Sequence, residues 1–373
     1  MTKILMVAPF PRERGAPHGG VEAATENLYA GLEMIDDLEV MVVDIRPEFV
    51  AVASEESSLG PILRIPAGRA VGRVRRSRRV VERHARSFGA DIVHAQGAAR
   101  LLPRTMPHIL TLHGFLERDT LFDRGGRLRR LLKLHTVVKS EIRARLATQN
   151  VIAISEFSAG ELTRALGTVP HRIFKIPNAV HPSLFETADE HDRAGVLFAG
   201  RLTELKGVRE LIKAFALVVQ EVPDAKLSIV GPGLESEYGA TCEALVAELQ
   251  LQSAVVFVGE LGRSELKSAI SAAQCVAVPS YVEAAPMVVA ESLVLGTPVV
   301  ASAVGAIPEM LRAGGGLLTD PGDVVGLSRS IVALLQMPRI MRDKEASDVR
   351  ETYRPDRVAA ATVHAYRAVI ESP

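Results

Sequence analysis

Residues 275–301 read Cys-Val-Ala-Val-Pro-Ser-Tyr-Val-Glu-Ala-Ala-Pro-Met-Val-Val-Ala-Glu-Ser-Leu-Val-Leu-Gly-Thr-Pro-Val-Val-Ala. Two short β-branched runs, Cys275 to Val278 and Pro298 to Ala301, enclose a segment with helix punctuation. Pro286 suits a first helical position, Gly296 the position just past the end and Pro298 a sharp stop, so a helix of roughly ten residues is framed. Strand, helix and strand in this order make a βαβ unit, which implies a parallel sheet. Glu283 stands before the helix and Glu291 inside it. The amides of Ala284, Ala285 and Met287 would point out of a partly positive helix end, where a phosphate binds naturally. Two carboxylates beside such an end suit sugar hydroxyls next to a phosphate.

The same rhythm extends outward. Val196 to Ala199, Lys226 to Val230 and Val255 to Val258 are further strand candidates in the second half. Between the first two, Leu211, Ile212, Ala214, Phe215, Val218 and Val219 recur at helical spacing and are expected to face the sheet. The first half repeats the scheme more loosely, at Ile4 to Ala8, Val40 to Val43, Ile92 to His94, Ile109 to Leu112 and Val151 to Ile154. The expectation is an α/β chain of two Rossmann-like, doubly wound parallel-sheet domains facing across a cleft, because such sheets bind ligands beyond the carboxyl ends of their strands. The rhythm breaks between Asn178 and Ala194, amid Pro177, Pro182 and the polar string Glu186 to Arg193. Residues 1–180 and 181–355 are therefore read as the two domains, with 356–373 as a C-terminal helix packing back on the first.

Length agrees, since 373 residues exceed the size at which one core usually stops growing. A hydrophobic content of 47% against 24% charged residues is ordinary globular composition. Cys242 and Cys275 match neither a zinc spacing nor a disulfide framework and read as buried free thiols. The apolar start Ile4 to Phe10 is halted by Pro11, Arg12, Glu13 and Arg14, too short for a signal peptide, and no uncharged apolar run reaches ~18 residues. A cytoplasmic, non-spanning chain is the expectation. Residues 1–185 carry eight more Lys and Arg than Asp and Glu, and the remainder eight fewer. Much of that excess lies in Arg73 to Arg86, and more between Arg124 and Arg145. No aromatic residue interleaves the first run, which argues against nucleic acid. The run reads as a solvated basic helix or as a peripheral contact with anionic lipid headgroups at the inner membrane face.

Glycines after strands mark candidate phosphate sites: Gly19-Gly20, Gly200-Arg201 and Gly231-Pro232-Gly233. Each alone also reads as a tight turn. None is a G-x-G-x-x-G fingerprint and no P-loop occurs, which disfavours nicotinamide chemistry and P-loop hydrolysis. Arg201 and Lys206 place two cations directly after a strand, as a diphosphate would require. Glu283 and Glu291 lie on one segment, not on opposite faces of a sugar, so hydroxyl binding suits them better than glycosidase chemistry. His113, between the strand Ile109–Leu112 and Gly114, reads by default as structural. There is no H-E-x-x-H and no Asp-x-Asp pair to hold a metal with a nucleotide diphosphate.

These pieces resemble the retaining glycosyltransferases of family 4, which have the GT-B fold of two Rossmann-like domains. Gly19-Gly20-Val21-Glu22 is similar to the family's N-terminal glycine loop, Asp91-Ile92-Val93-His94 to its D-x-V-H strand, and Thr111-Leu112-His113-Gly114 to its histidine-glycine strand end. Ser155-Glu156, Pro177-Asn178, Gly200-Arg201 with Lys206-Gly207, and Gly231-Pro232-Gly233 follow in order. Glu283 to Glu291 resembles its E-x7-E segment, and Gly305-Ala306-Ile307-Pro308-Glu309 its G-G-I-P-E close.

The resemblance implies a metal-independent enzyme without cofactor that moves a hexose-type sugar from a UDP- or GDP-linked donor to a hydroxyl of a glycan, glycolipid or small molecule. It makes Arg201 and Lys206 the binders of the diphosphate leaving group, Glu283 a contact of the donor sugar and Glu291 of the ribose. Gly20 lets backbone approach the phosphates, and His113 sits near the anomeric region. Gly19, Gly200, Gly231 and the segment Ala284, Ala285, Pro286 and Met287 complete the donor site. Retention then needs no protein nucleophile, because the departing phosphate takes the acceptor's proton. Ala284 and Ala285 stand where the family has Gly and Phe. A positive φ at 284 would strain an alanine by about 1 kcal/mol. A nucleotide-sugar epimerase of similar fold and a non-catalytic nucleotide-sugar-binding homologue are the alternatives.

Overall fold

The computed structural model describes residues 1–67, 73–103, 105–114, 142, 144, 145, 147–166, 172–186, 194–336 and 346–371. Most of the second basic stretch, Arg124 to Arg145, and most of the string Glu186 to Arg193 lie outside the described residues. The chain forms two compact units, one of Met1–Pro182 with Arg354–Pro373, the other of Ser183–Tyr353.

The first unit is built on eight strands: β1 (Thr2–Val7), β2 (Leu38–Arg46), β3 (Ala53–Ser57), β4 (Gly60–Pro66), β5 (Ile92–Gln96), β6 (His108–Leu112), β7 (Asn150–Ala153) and β8 (Arg172–Lys175). Their order is β3-β4-β2-β1-β5-β6-β7-β8. All pairs are parallel except the antiparallel hairpin of β3 and β4. Strand β1 runs apolar from Ile4 to Val7, and β5 is buried throughout although it carries His94 and Gln96, because both faces of these central strands are packed. Residues β3, β4 and β8 escape the sequence reading. Ala53–Ser57 is Ala-Ser-Glu-Glu-Ser, mostly exposed, and joins the sheet at its edge through backbone pairing. Strand β8 closes the opposite edge with partly exposed side chains.

The helix Pro355–Ile370 belongs to this first unit. Its Val358, Val363, Tyr366 and Val369 share one core with Ile4, Met6, Val40, Ile92 and Ile109. It crosses the helix Gly20–Leu32 so closely that a Cβ on Gly31 would overlap the Pro355 carbonyl.

The second unit has six parallel strands, β9 (Val196–Ala199), β10 (Leu227–Val230), β11 (Val255–Gly259), β12 (Cys275–Val278), β13 (Val299–Ser302) and β14 (Gly316–Thr319). They are ordered β11-β10-β9-β12-β13-β14. The helix Val208–Glu221 buries Leu211, Ile212, Ala214, Phe215 and Val218 as its periodicity requires, with Val219 partly buried. Cys242 and Cys275 are free and buried, and burial pushes the Cys242 thiol up to about 11. Such a thiol is inert near neutrality.

Candidate functional site

In the second unit, β9 is followed in space by β10 on one side and β12 on the other. Loops leaving β9 and β12 therefore diverge, and a crevice opens at their carboxyl ends. That geometry brings the Lys206 loop beside the Glu283 loop, although the two residues are 77 positions apart. Gly207 adopts a left-handed φ of 64°, and a side chain there would collide with the Pro279 carbonyl. The Tyr281 N–H donates to the Leu205 carbonyl at 2.8 Å. The loop after β9 is thus seated on the backbone that leads to Glu283.

Lys206 Nζ donates to Glu283 Oε1 at 2.6 Å, and Ser280 Oγ donates to the same oxygen at 2.8 Å. Ser280 is fully buried, and the Glu283 side chain is only 9% exposed. One carboxylate oxygen is therefore clamped by two donors, which leaves Oε2 as the oxygen available to accept from a ligand. A second clamp acts on the backbone. Gly305 has a φ of 58°, a Cβ there would overlap the Glu283 carbonyl, and the Ala306 N–H donates to the Ala284 carbonyl at 3.0 Å.

Two expectations are corrected here. Pro286 does not take the first helical position. Its ψ of 127° makes it the N-cap, and the helix spans the eight residues Met287–Val294, because the bond from Ala306 holds the preceding chain extended. Gly296 follows the helix end with a φ of 69°. Ala284 bears no left-handed strain, since among the described residues only Asp37 and Gln250 combine a side chain with positive φ. Glu291 is buried in the second turn of this helix. Burial pushes its carboxyl pKa up, while the Arg263 charge draws it back.

Arg201 stands exposed on a neighbouring ledge. The Leu202 N–H donates to the Pro232 carbonyl at 2.8 Å, and Gly231, with φ 132°, packs where a Cβ would overlap the Gly200 carbonyl. Gly231 is needed for this close backbone approach, whereas a Cβ on Gly200 would meet only the Phe198 ring at 3.5 Å. Among the described residues, no group of three or more His, Cys, Asp and Glu side chains is placed to hold a metal ion.

In the first unit the switch point lies between β1 and β5. Gly19 caps the helix Gly20–Leu32 with extended backbone and no side-chain cap, so both glycines are exposed at a helix end with unfilled amides. The loop before them is pinned from the helix: Glu22 Oε2 accepts from the His18 N–H at 2.8 Å, and Glu26 Oε1 from the Gly15 N–H at 2.7 Å. Arg46 joins the loop to β2, donating to Glu22 Oε1 at 2.5 Å and to the Phe10 carbonyl at 2.7 Å, and pairing with Asp44 at 2.7 Å. Burial raises the Asp44 carboxyl against the pull of Arg46. His113, half-buried beyond β6, meets Gln96 Oε1 through Nε2 at 2.5 Å. Burial lowers its imidazole to about 4, so it is neutral near pH 7.

Sequence reasoning missed Ser280, Gln96 and the Arg46 cluster. A small hydroxyl three residues before a carboxylate and an amide at the carboxyl end of a strand were the available signals. The basic run forms the helix Arg73–Phe88. Ser77, Val81 and Ala85 are buried, while Arg75, Arg79, Arg83 and Arg86 lie on the exposed side. No helix among the described residues is long and apolar enough to cross a membrane.

Comparison with known proteins places this fold. Residues 18–184 match the family model of Glycosyltransferase Family 4, and residues 183–352 that of Glycosyl transferases group 1. The class is thus the glycosyltransferases. The chain is similar over its full length to sucrose-phosphate synthase from Thermosynechococcus elongatus, with TM-score 0.81, 22% identity and all of both chains covered. It is also similar to HepE of Anabaena in complex with UDP and glucose, with TM-score 0.73, 20% identity and coverage of 99% and 100%. Both likenesses establish the GT-B fold. More specifically, the chain is a glycosyltransferase of the family 4-like type. It is 27% identical to the MMP alpha-(1->4)-mannosyltransferase of Mycolicibacterium hassiacum over 75% of this chain and 71% of that protein. With a D-inositol 3-phosphate glycosyltransferase of Nocardioides it shares 32% identity over 48% of this chain and 44% of the relative. The match thus spans less than half of that second relative.

Proposed function

We propose that the protein is a retaining, metal-independent hexosyltransferase that uses a nucleotide-diphosphate sugar, UDP- or GDP-linked, and glycosylates a hydroxyl of a glycan, glycolipid or small molecule. The observation that carries this reading is the convergence of Lys206, Ser280 and Glu283 at one switch point. A cation and an oriented carboxylate there suit a diphosphate and a sugar hydroxyl held side by side.

In this reading Arg201 and Lys206 meet the charge that develops on the leaving diphosphate, which is the form of stabilisation that weighs most in such transfers. Glu283 accepts from the donor sugar's hydroxyls through Oε2. Glu291 accepts from the ribose diol, and its burial makes an unfilled acceptor costly. In the second unit the N–H groups of Ala284, Ala285 and Met287 add partial positive charge for phosphate oxygens, and in the first unit the helix end at Gly20 offers the same. His113 contacts the transferred sugar as a neutral ring. The acceptor hydroxyl attacks the anomeric carbon on the face the diphosphate leaves, and its proton passes to the departing phosphate oxygen. The anomeric C–O bond to phosphate breaks, a new C–O bond forms on the same face, and no enzyme nucleophile is needed. HepE was solved with UDP and glucose, which supports a uridine donor as the first to try. The exposed arginines of the Arg73–Phe88 helix support a cytoplasmic protein with peripheral contact to anionic lipid.

A thermal-shift screen of nucleotide sugars identifies the donor, because a ligand at 100 times its Kd adds about 2.7 kcal/mol. With that donor, Arg201→Ala should lower turnover on the order of 10² to 10³-fold. Near-normal turnover in that variant, or product formed from donor alone as an epimerase would give, ends this reading.

A further inference from the structure

The first unit holds a side chain with no part in the reading above. Gln96 ends β5, lies opposite Thr111 of β6, and is 3% exposed. The Gly97 N–H donates to the Thr111 carbonyl at 2.9 Å, so the two strand ends stay in register and the Gln96 amide meets the His113 ring at 2.5 Å. An amide carbonyl oxygen can only accept, so a bond from Oε1 to ring Nε2 requires the proton to sit on Nε2. The neutral ring then carries its lone pair on Nδ1.

We propose that Gln96 is the positioning residue for His113, fixing the ring in the Nε2–H tautomer and leaving Nδ1 to accept a hydrogen bond from a ligand hydroxyl. This rests on the reading of His113 as a site residue. It makes the histidine a fixed acceptor and not an acid or a base. The framework behind it is stiff. His94 on β5 contacts Thr111 Oγ1 through Nε2 at 2.7 Å and the Tyr366 hydroxyl through Nδ1 at 2.6 Å, and both His94 and Tyr366 are fully buried. Among the described residues, the titratable and charged groups beside His113 are His94 and Arg145, whose Nη2 donates to the Gly114 carbonyl at 3.3 Å. His94 is itself held neutral by burial, and burial of the His113 ring is what keeps that ring neutral.

Two readouts test this. In ¹⁵N-histidine NMR, with His113→Asn giving the assignment, His113 should show the neutral Nε2–H pattern and no titration from about pH 5.5 to 8, as a buried neutral ring requires. Gln96→Leu should yield mixed tautomers. Gln96→Glu should keep Nε2–H but introduce a titration, because a carboxylate favours the imidazolium. In kinetics with UDP-glucose as probe donor, Gln96→Leu should lose roughly tenfold in kcat/KM, while Gln96→Glu should recover at high pH and fall on acidification. A wild-type Nδ1–H pattern, or an unchanged tautomer in Gln96→Leu, overturns the proposal. Unimpaired turnover in His113→Asn overturns instead the site reading on which it rests. Should Gln96→Leu fail to fold, the acid limb of Gln96→Glu decides alone.

Discussion

Replacing Ser280 by alanine removes one of the two donors on Glu283 Oε1 and nothing else. The hydroxyl lies 2.8 Å from that oxygen and is wholly buried, so no water can take its place without a rearrangement. A hydrogen bond to a charged group contributes about 1.5–3 kcal/mol. The Lys206 bond at 2.6 Å remains, which keeps the carboxylate paired and places the expected loss at the lower end. If all of it falls on a carboxylate that must be aimed at the donor sugar, ~1.5 kcal/mol corresponds to about tenfold in kcat/KM. The assay is steady-state transfer with the donor found by thermal shift, alongside Glu283→Gln and the double variant. Contact between the two side chains means their effects should not add. Additive losses, or full activity in Ser280→Ala, would refute the idea that the clamp on Oε1 orients Glu283.

Other expectations follow from the same geometry. Gly305→Ala should lower both stability and turnover, since a Cβ there overlaps the Glu283 carbonyl and a displacement of ~1 Å at a positioning group can cost 10²-fold; a normal melting temperature with normal kcat/KM would contradict it. Gly20→Ala should leave the melting temperature almost unchanged, because nothing lies within 4 Å of the added carbon, yet weaken donor binding by roughly tenfold if phosphate approaches this backbone; unaltered affinity by calorimetry removes Gly20 from the site. Burial lowers His94 to about 3 in the folded protein, so between that value and ~6.5 the unfolded chain binds the extra proton and stability falls with acidification by ~1.4 kcal/mol per pH unit. The destabilisation caused by His94→Gln, read from urea midpoints, should therefore shrink from pH 6.5 to 4.5, and a constant difference would exclude this origin. For the Arg73–Phe88 helix, binding to anionic vesicles should fade as salt rises, and equal binding to neutral vesicles would rule out the headgroup contact.

The sheets were legible where physics leaves a local mark. Central strands such as β9 and β12 are buried on both faces and therefore run apolar without interruption, and their limits were readable to the residue. Strand β3 has no such mark, because a polar edge strand is held by backbone bonds to β4 that any sequence could make. Within the site, Lys206 and Glu283 stood out as charges next to glycines and a helix start. What their sequence could not give is that they bond to each other, which depends on the strand order. Ser280 and Gln96 are neutral and small in effect until a partner is set beside them, so their roles belong to the tertiary structure. The start of the helix at Met287 likewise depends on Ala306, which lies beyond β13 and holds the Ala284 carbonyl.

The helix Pro355–Ile370 supplies Tyr366 and Val358 to a core whose other members come from the first part of the chain. On the ribosome, the first unit's sheet is therefore complete long before its last packing partner exists. Synthesis of the intervening unit, Ser183–Tyr353, takes on the order of ten to thirty seconds at typical bacterial speeds. During that interval His94 has no Tyr366, and the groove beside the Gly20–Leu32 helix is uncovered. The second unit, contiguous in sequence, can finish folding first. The core of the first unit can thus be completed only after the whole of the second unit has been made.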